Sequence, residues 1–546
     1  MKKTKLTLIY ILLVITFGKI SAQVTLEWVA RYNSQSNGSD YVKAMAVDSM
    51  GNVYVAGTDA DSPPGFVTIK ISTSGQIVWA RRYLGAMPIT AGPKQIAVDR
   101  QGNVYVGASD VDYIVIKYDS SGVEQWVRRF RGSGGGINSL NDLATEDSSM
   151  SIIHTGYATF NSGFSGCFTI RSNYSTGDSV WSRRYTPNPT ICGKIYIDLF
   201  KNINVNGVSN IAVLAPDDFL TLSYDLDGNL RWAQTWNGPG NRWDVAADIA
   251  SDKNGNVYVT GYATMDSTNA ENVVTIKYDS NGNQKWIRFY DGSGQYFIAH
   301  GEFIKIDPLG NVIVAGWQAG YNYDFCTIKY DSLGNKLWVQ GYNGAANEED
   351  FLEGLTVDKL GCVYVTGSTK DIINLPKITT IKYDKDGNQK WIQKYPDYDT
   401  ISYPAAIIVD NNLNVYIAGE IGVAGYNNDI IVLKYSQPTS VVPILSEVPD
   451  GFKLYQNYPN PFNSKTDLRF EIPAFAEASA GRSNFGFVSL KVYDVFGREV
   501  ATLVNEKKEP GEYQVEWDAE GLASGVYYYR MISGKNIETK KALLIK

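Results

Sequence analysis

Histidine is almost absent from this chain, and cysteine and methionine are scarce. Its 546 residues include two histidines, four cysteines and seven methionines. Two histidines leave little material for a His-rich zinc site or for a catalytic triad with histidine as its base. Charged residues amount to 20 % and apolar residues to 44 %, a balance that excludes an intrinsically disordered chain.

The chain also lacks an apolar run long enough to span a bilayer. Its longest such run, Leu6 to Phe17, has 12 residues, whereas a membrane-spanning helix needs about 20. Lysines precede the run and a small residue, Ala22, follows it, which is typical of a secretory signal peptide over residues 1–22. A buried N-terminal strand is the alternative interpretation. Removing the four lysines of this segment takes the formal net charge from −7 to −11.

The acidity is confined to the upstream part of the chain. From Leu454 to the end, 12 basic residues balance 12 acidic ones. An acidic main domain repels nucleic acid and anionic lipid. We therefore expect no nucleic-acid partner.

Tyrosine, tryptophan and glycine are abundant, and they recur in a repeat. The counts of 37, 12 and 51 favour strands joined by tight turns. Eight tryptophans recur at spacings of 47 to 55 residues: Trp28, Trp79, Trp126, Trp181, Trp232, Trp286, Trp338 and Trp391. The units between them contain an Asp-x-x-Gly-Asn-Val-Tyr-Val-x-Gly stretch and a Thr-Ile-Lys-Tyr stretch. Such units predict four short strands each, as in a propeller blade.

The two ends of the repeat complement each other. The first copy has only a tryptophan segment, Glu27 to Tyr32, and the last copy ends with its third segment at Tyr435. If the N-terminal strand completes the last blade, no sheet edge stays exposed. The sequence therefore predicts an all-β fold, an eight-bladed β-propeller of four-stranded blades over residues 23–437. Seven blades with an unpaired terminal strand is the alternative.

These units resemble the SBBP-type bacterial β-propeller repeats and, more loosely, the quinoprotein repeat. The resemblance covers about residues 23–437 and implies an architecture without a particular reaction. Quinoprotein enzymes have adjacent cysteines in their cofactor site, and no two cysteines are adjacent here, so we expect no cofactor. The Asp-x-x-Gly turns lack the further acids of a calcium loop. We interpret them as hairpin turns and expect no metal site.

Several recurring residues have a structural interpretation. A lysine lies in the third strand of most units: Lys70, Lys117, Lys277, Lys329, Lys382 and Lys434. We expect these lysines to extend along the blade edges and pair with the repeated aspartates, although a shared binding surface is the alternative. His154 aligns with the strand residue Val55 and is predicted to be a core residue.

The connections between strands predict where a ligand binds. Strands one and two, and three and four, are joined by short turns, whereas the other connections are long and fall on the opposite face. Aromatic residues on this long-loop face are candidates for binding a glycan or a protein: Trp243, Tyr296, Trp317, Tyr321, Tyr323, Tyr398 and Tyr403. A carboxylate-dependent hydrolase or lyase, and a structural surface-layer component, are the alternatives, and no catalytic residue is assigned. Cys167 and Cys192 map to this face in neighbouring blades and are disulfide candidates in an exported protein.

The last part of the chain has a different pattern. Residues 438–453 are predicted to be a linker, and residues 454–546 alternate apolar strands with glycine turns, as in a small Ig-like β-sandwich. Tyr-Pro-Asn-Pro-Phe-Asn, ending at Asn463, and Ala-Ser-Gly-Val-Tyr, beginning at Ala523, resemble the type A C-terminal sorting domain of the Bacteroidetes type IX secretion system. An insertion at Ala474 to Gly486 departs from that pattern. An ordinary Ig-like adhesion module is the alternative.

The resemblance to the sorting domain implies a route and a destination. It implies Sec export into the periplasm, recognition by the type IX machinery, passage across the outer membrane and removal of the domain. It also implies attachment to surface lipopolysaccharide in many cases. The protein is thus expected to be secreted or attached to the outer-membrane surface.

Overall fold

The computed structural model describes residues 24–545 with interruptions at 62, 86–91, 135, 137, 161–164, 188, 210–216, 266–269, 293–297, 320–321, 396–399, 423–426, 438–441, 444–450, 474–485, 509–510 and 520. The predicted signal peptide, residues 1–22, lies outside the described residues. Strands make up nearly all the regular structure, and the helix found in the described part is a three-residue 3-10 turn, Asp147–Ser149. No helix in these ranges combines the length and apolar character that crossing a membrane requires.

The first 32 strands lie upstream of Gln437. They are β1 Thr25–Tyr32, β2 Tyr41–Val47, β3 Val53–Asp59, β4 Gly65–Ile71, β5 Ile77–Tyr83, β6 Pro93–Val98, β7 Val104–Ser109, β8 Tyr113–Tyr118, β9 Glu124–Phe130, β10 Ser139–Glu146, β11 Ser151–Thr159, β12 Ser165–Asn173, β13 Ser179–Tyr185, β14 Thr190–Ile197, β15 Ile203–Ser209, β16 Asp218–Tyr224, β17 Leu230–Trp236, β18 Asp244–Ser251, β19 Val257–Thr264, β20 Glu271–Tyr278, β21 Gln284–Tyr290, β22 Ile298–Ile306, β23 Val312–Ala319, β24 Tyr323–Tyr330, β25 Lys336–Tyr342, β26 Phe351–Val357, β27 Val363–Lys370, β28 Pro376–Tyr383, β29 Gln389–Tyr395, β30 Ile401–Val409, β31 Val415–Gly422 and β32 Asp429–Ser436.

These strands form four-stranded antiparallel sheets. Sheets one to seven each use four consecutive strands, from β2–β5 to β26–β29, and sheets five and six are joined by one parallel pair, Glu271 with Ile298. Sheet eight consists of β30, β31 and β32 with β1, which pairs antiparallel with β32 from Thr25–Ser436 to Tyr32–Ile430. The first strand of each sheet packs on the first strand of the next, and β30 packs on β2. The first strands β2, β6, β10, β14, β18, β22, β26 and β30 are therefore the inner strands of the assembly.

The repeated aspartates close the turns between first and second strands. Asp48 Oδ1 accepts the backbone N–H groups of Met50 and Asn52 at 3.0 and 2.9 Å. Its Oδ2 accepts the Asn52 side-chain amide at 2.8 Å and the Tyr54 hydroxyl at 3.1 Å. Asp99, Asp252 and Asp410 repeat this set of hydrogen bonds. These are the turns predicted from the sequence, and both oxygens of each carboxylate already accept hydrogen bonds from its own hairpin.

Each repeat tryptophan ties its sheet to the next. The indole N–H of Trp79 donates to the Ser120 carbonyl, in the turn between the third and fourth strands of sheet two, at 3.3 Å. In the same turn Gly122 has φ +83°, and a Cβ there would lie 2.7 Å from a Trp79 ring atom. The other indoles follow the same rule: Trp28 to Thr73, Trp126 to Tyr174, Trp181 to Leu226, Trp232 to Ser280, Trp286 to Ser332 and Trp338 to Lys385. Tryptophan and glycine thus form one contact that recurs between the sheets.

Most of the repeated lysines do not pair with the repeated aspartates, so that prediction is wrong for them. Lys70 and Lys117 donate to the Ser120 and Tyr174 carbonyls, at 3.0 and 2.9 Å, the same oxygens that the tryptophans use. Lys277 likewise reaches the Ser332 carbonyl at 2.9 Å. The reason is local: each lysine lies beside the tryptophan across the strand pair, and the turn aspartates are occupied by their own hairpins. Lys329 is an exception, with an ion pair of 2.8 Å to Asp307, and Lys434 pairs with Glu27 instead.

The Gln437 side chain takes the place of a turn in sheet eight. Because the fourth strand of this sheet is β1, the chain makes no turn from the third strand, β32, into a fourth strand. The side-chain oxygen of Gln437 accepts Lys382 Nζ at 2.7 Å and the Trp391 indole N–H at 3.2 Å. Its amide N–H group donates to the Leu413 carbonyl at 2.8 Å. A side chain thus supplies the acceptor that a backbone carbonyl supplies elsewhere.

One covalent link joins two neighbouring sheets. Cys167 on β12 and Cys192 on β14 form a disulfide in the structure, as the sequence predicted for that pair. Both residues are buried at 1 % and 0 % exposure within one apolar cluster. His154 on β11 is fully buried, in line with its predicted core position.

The remaining strands form a separate pair of sheets. They are β33 Val442–Pro443, β34 Lys453–Leu454, β35 Lys465–Ile472, β36 Gly486–Tyr493, β37 Glu499–Lys508, β38 Gly511–Asp518, β39 Gly525–Ser533 and β40 Asn536–Leu544. The orders are β33-β38-β35-β34 and β37-β36-β39-β40, and the sheets share one core that includes Leu468, Val488 and Tyr529. Val442–Pro443 and Lys453 lie in the predicted linker yet pair with β38 and β35. The insertion at Ala474 to Gly486 lies outside the described residues except for Gly486.

Candidate ligand-binding face

The inner strands begin on the face that carries the long connections, and aromatic residues cluster there. The repeat glycine near the end of the second strand is followed by a residue that pairs with the inner strand. We call the inner-strand partner of that residue the entry position. Sheets six, seven, eight and one have His300, Phe351, Tyr403 and Tyr41 at this position, paired with Trp317, Ser368, Glu420 and Thr58. Sheets three to five have Ser139, Ile191 and Val245 instead. We call the aromatic residues at the entry positions of sheets six, seven, eight and one the aromatic arc. Three of them, Phe351, Tyr403 and Tyr41, are 39–41 % exposed, so the arc is accessible.

The rings of sheets five to seven, with His300 and Phe351 of this arc among them, form a continuous series of contacts, which we call the aromatic ladder. The imidazole of His300 stacks on Tyr262 with centroids 3.6 Å apart and planes at 6°. Its centroid lies 4.0 Å from that of Trp317. Trp317 contacts Tyr323 at 4.6 Å, and Tyr323 contacts Phe351 at 5.7 Å. Close ring contacts of this kind hold one another in place, so the ladder is a preorganised apolar surface.

Two acids flank His300. Its Nε2 lies 2.7 Å from Glu271 Oε2, and its Nδ1 lies 3.8 Å from Glu302 Oε1. Burial raises the pKa of Glu302, although His300 and a hydrogen bond from Trp317 oppose the change. Burial also raises the pKa of Glu353, and the charge of Glu302 adds to the effect. The ladder is therefore edged by hydrogen-bond acceptors, two of which hold a proton at higher pH than an ordinary carboxylate does.

Every inner strand has an irregularity two residues after its entry position. There one strand gains an extra residue against its partner, a β-bulge that leaves a residue out of the pairing. The residues concerned are Lys43, Lys94, Asn141, Gly193 with Lys194, Ala247, Glu302, Glu353 and Ala405. We call them the bulge layer. Its charges are sorted, with lysines on sheets one, two and four and glutamates on sheets six and seven.

Only part of the predicted aromatic set comes together. Trp317 and Tyr323 are members of the ladder, and Tyr403 lies in the exposed arc. Trp243, 58 % exposed, precedes β18 on the same face but has no ring contact with the ladder among the described residues. Tyr296, Tyr321 and Tyr398 lie outside the described residues.

Sequence reasoning missed Tyr262, His300 and Phe351. One signal was available: Tyr262 and Trp317 both follow the glycine that closes the second strand, a position that varies from unit to unit while its surroundings repeat. His300 was not considered because it lies inside a strand rather than in a loop. Only the register, which sets it opposite Trp317, reveals its role.

Acids at the starts of the inner strands accept hydrogen bonds from loop backbone groups. Asp40 accepts the Ser34 and Ala60 N–H groups at 2.7 and 3.2 Å. Asp350 accepts the Gly344 N–H group, and Asp244 accepts that of Gly238. The described residues contain no group of three or more His, Cys, Asp or Glu side chains placed to hold a metal ion.

Two protein-family models match parts of the chain. Residues 27–58 match the SBBP β-propeller repeat, and residues 456–546 match the secretion system C-terminal sorting domain. The chain therefore carries a β-propeller repeat and a type IX C-terminal sorting domain. The sorting domain implies interaction with the secretion machinery, and hence export to the cell surface or the medium.

Individual relatives are distant. An uncharacterized WD-repeat-containing protein of Acanthamoeba polyphaga mimivirus is 24 % identical over 461 residues, which is 73 % of this chain but only 30 % of that protein. Sqt1 of Saccharomyces cerevisiae has 11 % identity over 75 % of this chain and 98 % of its own, with a TM-score of 0.46. The β-propeller domain of the Trilobed protease from Pyrococcus furiosus has 11 % identity over 66 % of this chain and 99 % of its own, with a TM-score of 0.39.

Proposed function

We propose that this protein is an exported eight-bladed β-propeller that binds a glycan on its long-loop face. In this proposal residues 1–22 are the signal peptide, residues 23–437 form the propeller, and an Ig-like sorting domain follows the short connection after Gln437. Two contacts support eight blades and closure by the N-terminal strand: β1 pairs with β32, and β30 packs on β2. The Trp28 indole, which donates to Thr73 at 3.0 Å, continues the between-sheet contact across this join.

The observation that carries the binding proposal is the aromatic arc of four neighbouring sheets, which is exposed on sheets seven, eight and one. Flat rings such as Phe351 and Tyr403 offer apolar surface to the C–H faces of a sugar. Carboxylates at Glu271, Glu302 and Glu353 lie along the same face and accept hydrogen bonds from sugar hydroxyls. An open apolar platform edged by acceptors matches the mixed surface of a saccharide better than it matches a small apolar ligand.

A glycan array on the full-length chain tests this proposal. The double variant Phe351→Ala with Tyr403→Ala should lose about tenfold or more in affinity for the glycans that the unmodified protein binds, because stacking surfaces contribute most where they are desolvated. Phe200→Ala is the matched control: Phe200 is 62 % exposed in the Asp198–Asn202 turn, on the short-turn face. Equal binding by the double variant and the unmodified protein would contradict the proposal. Loss of a bound protein rather than a glycan would redirect it to a protein ligand.

A hydrolase or lyase is the second candidate, and one observation favours it. Glu302 and Glu353 lie on neighbouring inner strands, and each has a raised pKa, as a general acid requires. If the protein is an enzyme, Glu302→Gln abolishes turnover of a bound glycan while leaving its affinity nearly unchanged. A binding protein shows no turnover before or after the substitution. Chromatography of the glycan after overnight incubation separates the two cases.

Delivery is the remaining part of the proposal. The sorting domain follows the propeller and has its own core, so it can be recognised and removed without opening the propeller. We propose that the released propeller is secreted or is attached to lipopolysaccharide at the outer-membrane surface, after Sec export through the periplasm. A structural surface-layer role predicts ordered arrays on intact cells and no dependence on the aromatic arc.

A further inference from the structure

We propose that Lys43, Lys94 and Lys194 form an anion-binding arc at the inner edge of the propeller, which selects glycans that carry carboxylate or sulfate groups. The inference rests on the proposed function, since it names the class of glycan that the long-loop face takes.

The three lysines occupy equivalent places in the fold. Each lies at the bulge of an inner strand, in sheets one, two and four, and Asn141 occupies that place in sheet three. The flanking residues Val42 and Ala44 are buried on the two sides of β2, whereas Lys43 is exposed. A bulge residue leaves the pairing and is re-aimed by the local bend, so these amines project from the free inner edge rather than from a sheet face. They lie only two or three residues beyond the entry positions and therefore border the same face as the aromatic arc.

These lysines lack the acceptors that occupy the other repeated lysines. None of the three forms an ion pair within the described part of the chain, whereas Lys329 and Lys434 each contact an acid. Lys43 interacts electrostatically with Glu420. Burial raises the pKa of Glu420 to about 7, although Lys43 opposes the change. At neutral pH this carboxyl is therefore only partly ionised and does not fully neutralise Lys43. Burial lowers the pKa of Lys94, and the amines of Lys43 and Lys194 lower it further, as expected of like charges held close together.

The distribution of charge gives the arc its selectivity. The chain as a whole is acidic, with a net charge of −7, and such a field repels an anion from most of its surface. Three unpaired cations on one side of the inner edge, opposite Glu302 and Glu353, create a local exception. An acidic saccharide then binds with its anionic groups toward sheets one to four and its apolar faces toward the arc of sheets six to one.

Polyanion binding by the full-length chain tests the inference. The probes are polygalacturonate, which carries only carboxylates, dextran sulfate, which carries only sulfate esters, and neutral dextran, all measured by biolayer interferometry. The unmodified protein should bind at least one polyanion more tightly than dextran, and higher salt should weaken that binding. The triple variant Lys43→Gln, Lys94→Gln and Lys194→Gln should bind it about tenfold or more weakly, since each exposed charge pair contributes a modest amount. Binding of one polyanion or of both identifies the recognised group, and either result supports the arc.

The matched control removes the same charge elsewhere. Lys253→Gln, Lys285→Gln and Lys390→Gln change three exposed lysines of sheets five and seven, and this triple should bind within about twofold of the unmodified protein. An equal loss in both triples, or no polyanion binding at all, would overturn the inference. If the first triple binds polyanions normally while the Phe351→Ala and Tyr403→Ala variant loses its glycan, only the inference fails. If the lysine triple variant loses polyanion binding while the Phe351→Ala and Tyr403→Ala variant binds its glycan normally, the aromatic proposal fails and the lysine arc stands.

Discussion

At the scale of single residues, the turn glycines serve two purposes that can be separated by mutation. Gly122 and Gly310 have nearly equal φ angles of +83° and +85° but differ in surroundings: a Cβ at Gly122 meets the Trp79 ring at 2.7 Å, and one at Gly310 meets nothing within 4 Å. Gly310→Ala should therefore cost only the strain of a left-handed backbone, ~1–3 kcal/mol. Gly122→Ala should cost a further ~1–3 kcal/mol from overpacking.

Thermal unfolding followed by circular dichroism measures this difference directly. Gly122→Ala should show the lower Tm of the two variants. Equal values of Tm would mean that the contact with Trp79 adds no loss of stability beyond the backbone strain that both variants share. Trp79→Phe in the Gly122→Ala background should recover part of the loss, because the smaller ring makes room for the new methyl group.

Asp324, beside Tyr323 in the ladder, predicts an unusual dependence of stability on pH. Burial, with a smaller effect of Asp350, raises its pKa from 3.8 to about 6. Because the folded state then holds a proton that the unfolded state has already lost, the stability from this group is full below about pH 4 and is lost as the pH rises through 6. Asp324→Asn should therefore raise Tm at pH 8 and change it little at pH 4.

Asp331→Asn is the control for Asp324→Asn, and its expected effect on Tm at pH 8 has the opposite sign. Hydrogen bonds from Asn335, Leu333 and Gly334 outweigh desolvation and lower the pKa of Asp331 in its exposed turn. Asp331→Asn should lower Tm at pH 8, since the charged carboxylate is the form that the turn stabilises. A fall in Tm at pH 8 for Asp324→Asn as well would show that Asp324 is stabilised as an anion, contrary to its burial.

At the scale of elements, the repeat made the strands predictable but left the inner edge hidden. The Asp-x-x-Gly turns marked strand ends because they act within a few residues along the chain, and the tryptophan spacing of 47 to 55 residues marked the units. The bulges on the inner strands have no such marker: Lys43, Asn141 and Glu302 share no side-chain property, and only the pairing register shows that they are equivalent. The lysine contacts were mispredicted for a related reason, since the acceptor of Lys70 is a backbone carbonyl about 50 residues away.

Strand β1 is the element expected to contribute most to closure of the eight sheets. It pairs with β32 over its whole length, and the Trp28 indole donates to the Thr73 carbonyl. Deleting residues 23–33 should lower Tm sharply, because an edge of β32 and the apolar cluster around Ala30 become exposed. The variant should also aggregate in size-exclusion chromatography. Trp28→Phe, which keeps the strand and loses only the indole donor, should lie between the two. A deletion variant that melts with the unmodified protein would rule out closure by β1.

At the scale of the whole molecule, the two groups of sheets have separate cores and separate expected fates. The eight sheets upstream of Gln437 and the C-terminal pair of sheets contribute to different apolar clusters. A chain truncated after Gln437 should therefore remain folded but stay in the periplasm, because it lacks the sorting domain. The full-length protein should reach the surface and lose most residues from about Leu454 onward.

Intact-mass measurement of surface-extracted protein, with fractionation of the truncated form, decides this prediction. A surface form that still ends at Lys546, or a truncated form that is exported normally, would identify the C-terminal sheets as an adhesion module. A chain truncated after Leu433 is an informative companion, since it removes Gln437 together with the end of β32. It should be unstable, whereas truncation after Gln437 should not.

The join between β1 and β32 also sets an order of events for the growing chain. Arg31 and Asp429 meet across 398 positions of sequence, so β1 has to wait, unpaired, until nearly the whole propeller has been made. Contacts between such distant segments form late because closing the intervening loop is costly in entropy. An unfinished or half-translocated chain thus presents a free strand at one end and an unfilled sheet at the other. Such a chain can exchange strands with a second unfinished chain, and timely access to a chaperone would limit that exchange.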